Sequence, residues 1–221
     1  MPVVLAANAL TTAAAVYDEL GITAPETPSD RVLRLINAVS QRVENFLGRQ
    51  LQRKVFTEEA PDQLQGSGGM WLFLSRWPIE EVESVLVDGL AWTYGQSDEW
   101  DRKGLLQSAS GWPRRQGRDA LTGDPGGERA FNVAAAYTGG YKLPNDEGDG
   151  IELPADLEQV VLDEIVIAYR TPRHFVAEET TPGGWRRKYN SEGAGDRSAL
   201  MKMSQQILIS AGYKRKVFGH P

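Results

Sequence analysis

Apolar residues recur at helical spacing near both ends of the chain and at strand spacing in its middle. The clearest helical stripe joins Val32, Leu33, Ile36, Val39, Val43, Phe46 and Leu47, with Arg34, Asn37, Ser40, Gln41 and Glu44 on the other face. Ser29 or Asp30 can cap its start, and Gly48 stands where a C-terminal cap is wanted. A shorter helix is predicted before it, capped by Thr11 or Thr12, running through Tyr17 and Leu20 and ending at Gly21. Pro25 and Pro28 separate the two.

The middle of the chain reads as β-structure. Candidate strands are Arg53–Thr57, Met70–Leu74, Glu81–Val87 and Ala130–Tyr137, with a shorter apolar pair at Leu105-Leu106. In the third, Val82, Ser84 and Leu86 alternate against Glu83, Val85 and Val87, and Asp88-Gly89 is a hairpin turn into Leu90-Ala91-Trp92. Gly66-Ser67-Gly68-Gly69 reads as a flexible loop, since no Gly-Lys-Ser/Thr follows to make a phosphate cradle.

A second long helix opens at Leu153-Pro154, proline being tolerated at the first helical position. Leu157, Val160, Val161, Ile165, Ala168 and Tyr169 form one face, while Leu162, Val166 and Ile167 widen the apolar surface. Such a helix needs two partners, so those three residues are candidates for subunit packing, the alternative being a central core helix. Residues 171–197 read as a long connector, rich in Pro and Gly and carrying Trp185-Arg186-Arg187-Lys188-Tyr189, a composition that orders poorly alone. A last helix, marked by Leu200, Met203, Ile207, Leu208 and Ala211, ends at Gly212 before a basic, aromatic arm, Tyr213–Pro221.

Composition narrows the chemistry. The 221 residues suffice for one domain with a proper core, and cysteine is absent, which excludes disulfides and thiolate metal sites. No apolar run reaches the roughly 20 residues a membrane span needs, and Val3–Ala7 lacks the flank of a secretory signal, so cytoplasmic synthesis is the expectation. The net charge of −6 is uneven: from Trp185 onward eight Lys/Arg face only Glu192 and Asp196, leaving −12 on residues 1–184. An acidic body repels DNA phosphates, and a basic tail seeks an acidic partner or is simply solvated.

Neither His174 nor His220 sits near a nucleophile elbow, so no hydrolase is expected. The acidic stretch Asn145–Glu152 misses the EF-hand spacing and reads as a solvated loop. Six tryptophans leave room for a carbohydrate-binding β-module, although Trp71 and Trp77, flanking an apolar strand, suit burial better. The arm also admits a nucleic-acid-binding reading, its cations pairing phosphates and its rings stacking bases.

Three phrases occur in order: Trp77-Pro78-Ile79-Glu80-Glu81-Val82-Glu83-Ser84-Val85-Leu86-Val87-Asp88-Gly89, then Ala135-Ala136-Tyr137-Thr138-Gly139-Gly140-Tyr141, then Leu153-Pro154-Ala155-Asp156-Leu157. With the preceding helix pair they make the chain resemble phage head-tail connector (head-completion adaptor) proteins, over roughly residues 9–172 with a looser echo from Glu192 to Phe218. The resemblance implies an α+β fold, a small helical bundle with an inserted β-rich element and an extended C-terminal arm. Residues 1–172 would be the connector core, with helices in 9–48 and 153–170 and the β-rich insertion at 51–141. Residues 173–221 would be the extended connector, short helix and basic arm.

It also implies a structural virion protein, made in the host cytoplasm and located at the neck, with no enzymatic role, cofactor or metal. Its partners would be the portal protein, neighbouring copies in a twelve-fold ring, a tail or stopper protein below, and viral DNA in passage, with no membrane. Tyr213, Lys214, Arg215, Lys216, Val217 and Phe218 would dock on the portal or a neighbour. The long Leu90–Arg129 region and the 171–197 connector depart from smaller relatives.

Overall fold

A computed structural model describes residues 3–113, 132–170, 178–180, 186–188 and 200–214. The chain divides into a helical unit, Met1–Arg49 with Leu143–Asp146 and Leu153–Pro221, and a β unit, Gln50–Lys142 with Glu147–Glu152. The elements realise the α+β class that the sequence pattern predicts.

In the helical unit, local capping chemistry sets the element ends. Helix α1 (Ala13–Leu20) starts where the Thr12 hydroxyl accepts from the Ala15 amide, and α2 (Asp30–Leu47) where the Ser29 hydroxyl accepts from Val32. Both stop at a left-handed glycine, Gly21 and Gly48. Helix α4 (Ala155–Arg170) begins one residue later than predicted. The Pro154 carbonyl accepts from the Leu157 and Glu158 amides, so proline is the capping residue and Ala155 the first helical one. Helix α5 (Lys202–Ser210) closes the unit.

The core here is the stripe of α2, with Val32, Ile36, Val39 and Val43 fully buried, together with Val16, Leu157, Val161, Ile165 and Leu208. Burying each such side chain contributes about 1.5–3 kcal/mol. The polar face of α2 is occupied as well. The Asn37 side chain donates to the Val4 carbonyl and accepts from the Ala6 amide, each at 2.9 Å, standing in for a strand of backbone. Asn8 donates to Glu44 at 2.7 Å and the Leu10 amide to Ser40 at 3.0 Å, so residues 3–10 lie as a strap on α2.

The β unit is gathered on one strand. Strand β7 (Val133–Gly139) pairs antiparallel with β4 (Ile79–Val87) on one side, and with β1 (Lys54–Phe56) and β2 (Asp62–Leu64) on the other. Strand β5 (Leu90–Ala91) adds to β4 through the predicted turn, with Asp88 and Gly89 both at positive φ. A two-stranded sheet of β3 (Trp71–Phe73) and β6 (Leu105–Gln107) completes the core, which includes Leu72, Leu106 and Trp112; helix α3 (Asp98–Asp101) precedes β6.

Two readings of the β unit change. The alternation assigned to Glu81–Val87 is interrupted by a bulge at Glu83, and a second bulge at Glu80 precedes it within β4, each placing two residues opposite one on β7. The bulges bring Ile79, Val82, Val85 and Val87 onto the core face, opposite Gly139, Tyr137, Ala135 and Val133. The Gly66–Gly69 segment, expected as a flexible loop, is pinned by bonds from Gly68 to the Trp112 carbonyl, from Trp112 to the Gly69 carbonyl, and from Gly66 to Asn132. A Cβ at Gly66 would lie 2.0 Å from the Pro113 carbonyl oxygen, so glycine is required by close backbone approach.

Within the predicted connector, β8 (Glu178–Thr180) and β9 (Arg186–Lys188) pair antiparallel. Backbone pairing of this kind leaves little trace in composition. His174, Trp185 and His220 lie outside the described residues.

Candidate assembly surfaces

Two of the three phrases that carry the connector resemblance, Trp77–Gly89 and Ala135–Tyr141, meet in the β unit. After β7 the chain must pass between two other backbones: the Gly140 amide donates to the Pro78 carbonyl, and Tyr141 exchanges bonds with Leu51 and Arg53. A Cβ at Gly140 would stand 2.6 Å from the Gln52 carbonyl oxygen, and φ there is +104°, so glycine at this position is a steric requirement of the crossing.

Beside it, the bulged Glu80 accepts from Arg53 through both carboxylate oxygens and from the Ile151 amide at 3.1 Å. That hydrogen bond, with the Glu80 charge and Asp149, holds the Arg53 pKa above its ordinary value despite partial desolvation. Two groups of the acidic stretch thus serve the β unit, while in the helical unit Asp146 accepts from the Leu143 amide at 3.2 Å. Among the described residues no three His, Asp or Glu side chains converge as metal ligands.

A buried polar cluster joins β2 to β7. Asp62 accepts from the Ser75 amide, the Ser75 hydroxyl and the Tyr137 hydroxyl at 2.9–3.0 Å, and Tyr137 in turn accepts from the Arg76 amide. Burial, reinforced by the Asp62 charge, pushes the Tyr137 phenol far above its ordinary range, so it stays a donor.

Outward surfaces are mixed. Glu81 and Glu83 are exposed on β4, and the described part of the β unit carries thirteen Asp/Glu against six Lys/Arg. Trp77 is buried as expected, but Trp71 is 37% exposed and meets Trp100 edge-on at 5.0 Å, with Met70 and Phe73 exposed nearby in sequence. Trp71 sits outward because β3 alternates: Leu72, paired with Leu106, takes the core side.

Of the residues named for subunit packing, Leu162 is buried within the chain, Val166 is half-buried and Ile167 is 44% exposed. For the arm, Tyr213 and Lys214 are described, and Arg215, Lys216, Val217 and Phe218 lie outside the described residues. The Tyr213 hydroxyl donates to Asp156, and the Lys214 ammonium sits 4.0 Å from the centre of the Phe46 ring. Sequence reasoning missed both partners. Phe46 reads as one more member of the α2 stripe and Asp156 as part of a helix-opening phrase; the only available signal was the acid in the first turn of α4.

No family model matches the chain and no curated protein matches it. Among solved structures, a chain from the virion of a native gene transfer agent (GTA) particle aligns over 100% of this chain and 97% of its own, at 17% identity and a TM-score of 0.50. This protein shares that virion component's fold. Chains from the neck of an empty GTA particle computed with C6 symmetry and from the neck of the native particle computed with C12 symmetry also align. The first has 16% identity, coverage of 100% and 98%, and a TM-score of 0.49. The second has 15% identity, the same coverage and a TM-score of 0.46.

Proposed function

We propose that the protein is a structural component of a virion neck, an adaptor whose copies form a ring between portal and tail and lengthen the channel for DNA. The observation that carries this reading is the fold shared, over essentially the whole of both chains, with a virion component. The two ordered phrases of the β unit add to it, because Pro78, Gly140 and Tyr141 within them make the crossing that follows β7. The function is assembly, without turnover of a substrate. Twelve copies and a portal partner follow from the connector resemblance.

An acidic β unit suits a surface along which DNA passes, since like charges disfavour adhesion. The basic arm suits docking on a partner: its cations speed encounter, and Val217 and Phe218 supply apolar anchors. Deleting the gene in the particle that encodes it tests the reading. DNA-filled heads and free tails that fail to join, restored by complementation, are the expected outcome. Normal tailed particles in its absence would overturn it, and a DNA-binding arm would show instead as salt-sensitive binding of DNA by the free protein.

A further inference from the structure

Helix α5 is fastened to α4 at two points. At its start the buried Glu164 carboxylate accepts from the Met201 amide at 2.7 Å, and beyond its end the Tyr213 hydroxyl donates to Asp156. The two attachments oppose each other in order, 164 with 201 and 156 with 213, so α5 runs antiparallel to α4. The dimensions agree: Asp156 to Glu164 is about 12 Å along a helix, and the nine residues of α5 span about 13.5 Å. Between them Leu208 and Ser204 are buried, so the helix is seated along its length. The next residue, Lys214, rests its ammonium on the Phe46 ring near the end of α2.

We propose that Tyr213 and Lys214 are positioning residues that clamp the root of the C-terminal arm onto α4 and α2, fixing the position of residue 214, after which the arm continues. Both were expected to meet the partner directly. Their described contacts lie within the chain, which adds a positioning role at the root of the arm. This rests on the docking-arm reading for its consequence, though not for its geometry. A fixed root lowers the ordering cost of docking, because fewer orientations are lost on binding.

The chain has no cysteine, so two introduced cysteines can carry spin labels without background. Labels at Glu19→Cys and Val217→Cys in the full chain report the distance distribution from α1 to the arm. Tyr213→Phe combined with Lys214→Met, which leaves Phe46 in place, is expected to widen that distribution at least twofold, while Lys214→Arg alone keeps it narrow. Affinity for the portal should fall about tenfold with the double variant. An unchanged width would overturn the clamp and leave arm docking untouched. A doubled width with unchanged portal affinity would support the clamp and count against the docking arm.

Discussion

The helical unit is stitched by side chains that reach backbone groups some thirty residues away, as Asn37 does to Ala6, Ser40 to Leu10 and Glu164 to Met201. The β unit is instead gathered around a single strand, β7, whose backbone serves β1, β2 and β4 at once. Damage should therefore spread differently. A lost stitch frees one segment of the helical unit, whereas a lesion in β7 removes the shared partner of three strands.

The largest effect is expected at Ala135, fully buried in β7 between β2 and β4. Ala135→Asp places an unpaired charge in the core, a cost of several kcal/mol. Amide exchange should accelerate together in β1, β2 and β4, while α2 stays protected. Loss of protection confined to β7 would break the comparison. Next is Ile36→Ala, which removes a fully buried side chain from the α2 stripe and should cost about 2–5 kcal/mol in urea denaturation.

Asp62→Ala comes third, because it leaves the Tyr137 and Ser75 donors without their acceptor, at about 1–3 kcal/mol. The same cluster has a pH signature. The Tyr137 phenol keeps its proton in the folded chain where an unfolded tyrosine, near pH 10, would lose it. The unfolded state then binds fewer protons, so stability falls as pH rises above about 10, by up to roughly 1.4 kcal/mol per unit from this group. Denaturation midpoints from pH 9 to 11 should fall more steeply in the parent than in Tyr137→Phe.

The smallest effect belongs to the strap. Asn37→Ala removes two hydrogen bonds worth about 1 kcal/mol each and should free the Ala6 amide to exchange without altering α2 or α4. Global unfolding on that substitution would show that the strap is part of the core and not a separable stitch.

The helices were legible because their signals are local. Thr12, Ser29, Gly21 and Gly48 act within one turn of themselves, and the α2 stripe reports its own burial. Strands β1, β3, β4, β5, β6 and β7 were found, but the register of β4 was not: Glu83 looks like an ordinary member of an alternating strand, and Glu80 falls before its predicted start, until β7 is paired against them. Strand β2 was missed because Asp62-Gln63-Leu64 has no β signature, and its place depends on Asp62 finding Ser75 and Tyr137. The strap was missed for the same reason, its partners lying on a helix that follows it in sequence. Of the candidate surfaces, the sequence marked the basic arm, yet the contacts of Tyr213 and Lys214 depend on how α5 seats on α4 and α2.

The adaptor reading is tested most directly by native mass measurement with negative-stain imaging of the protein alone and mixed with its portal. The account predicts a complex of fixed stoichiometry, one copy per portal subunit, seen as a ring continuing the portal channel. A mixture in which the two proteins remain separate, at concentrations where each is folded, would contradict it.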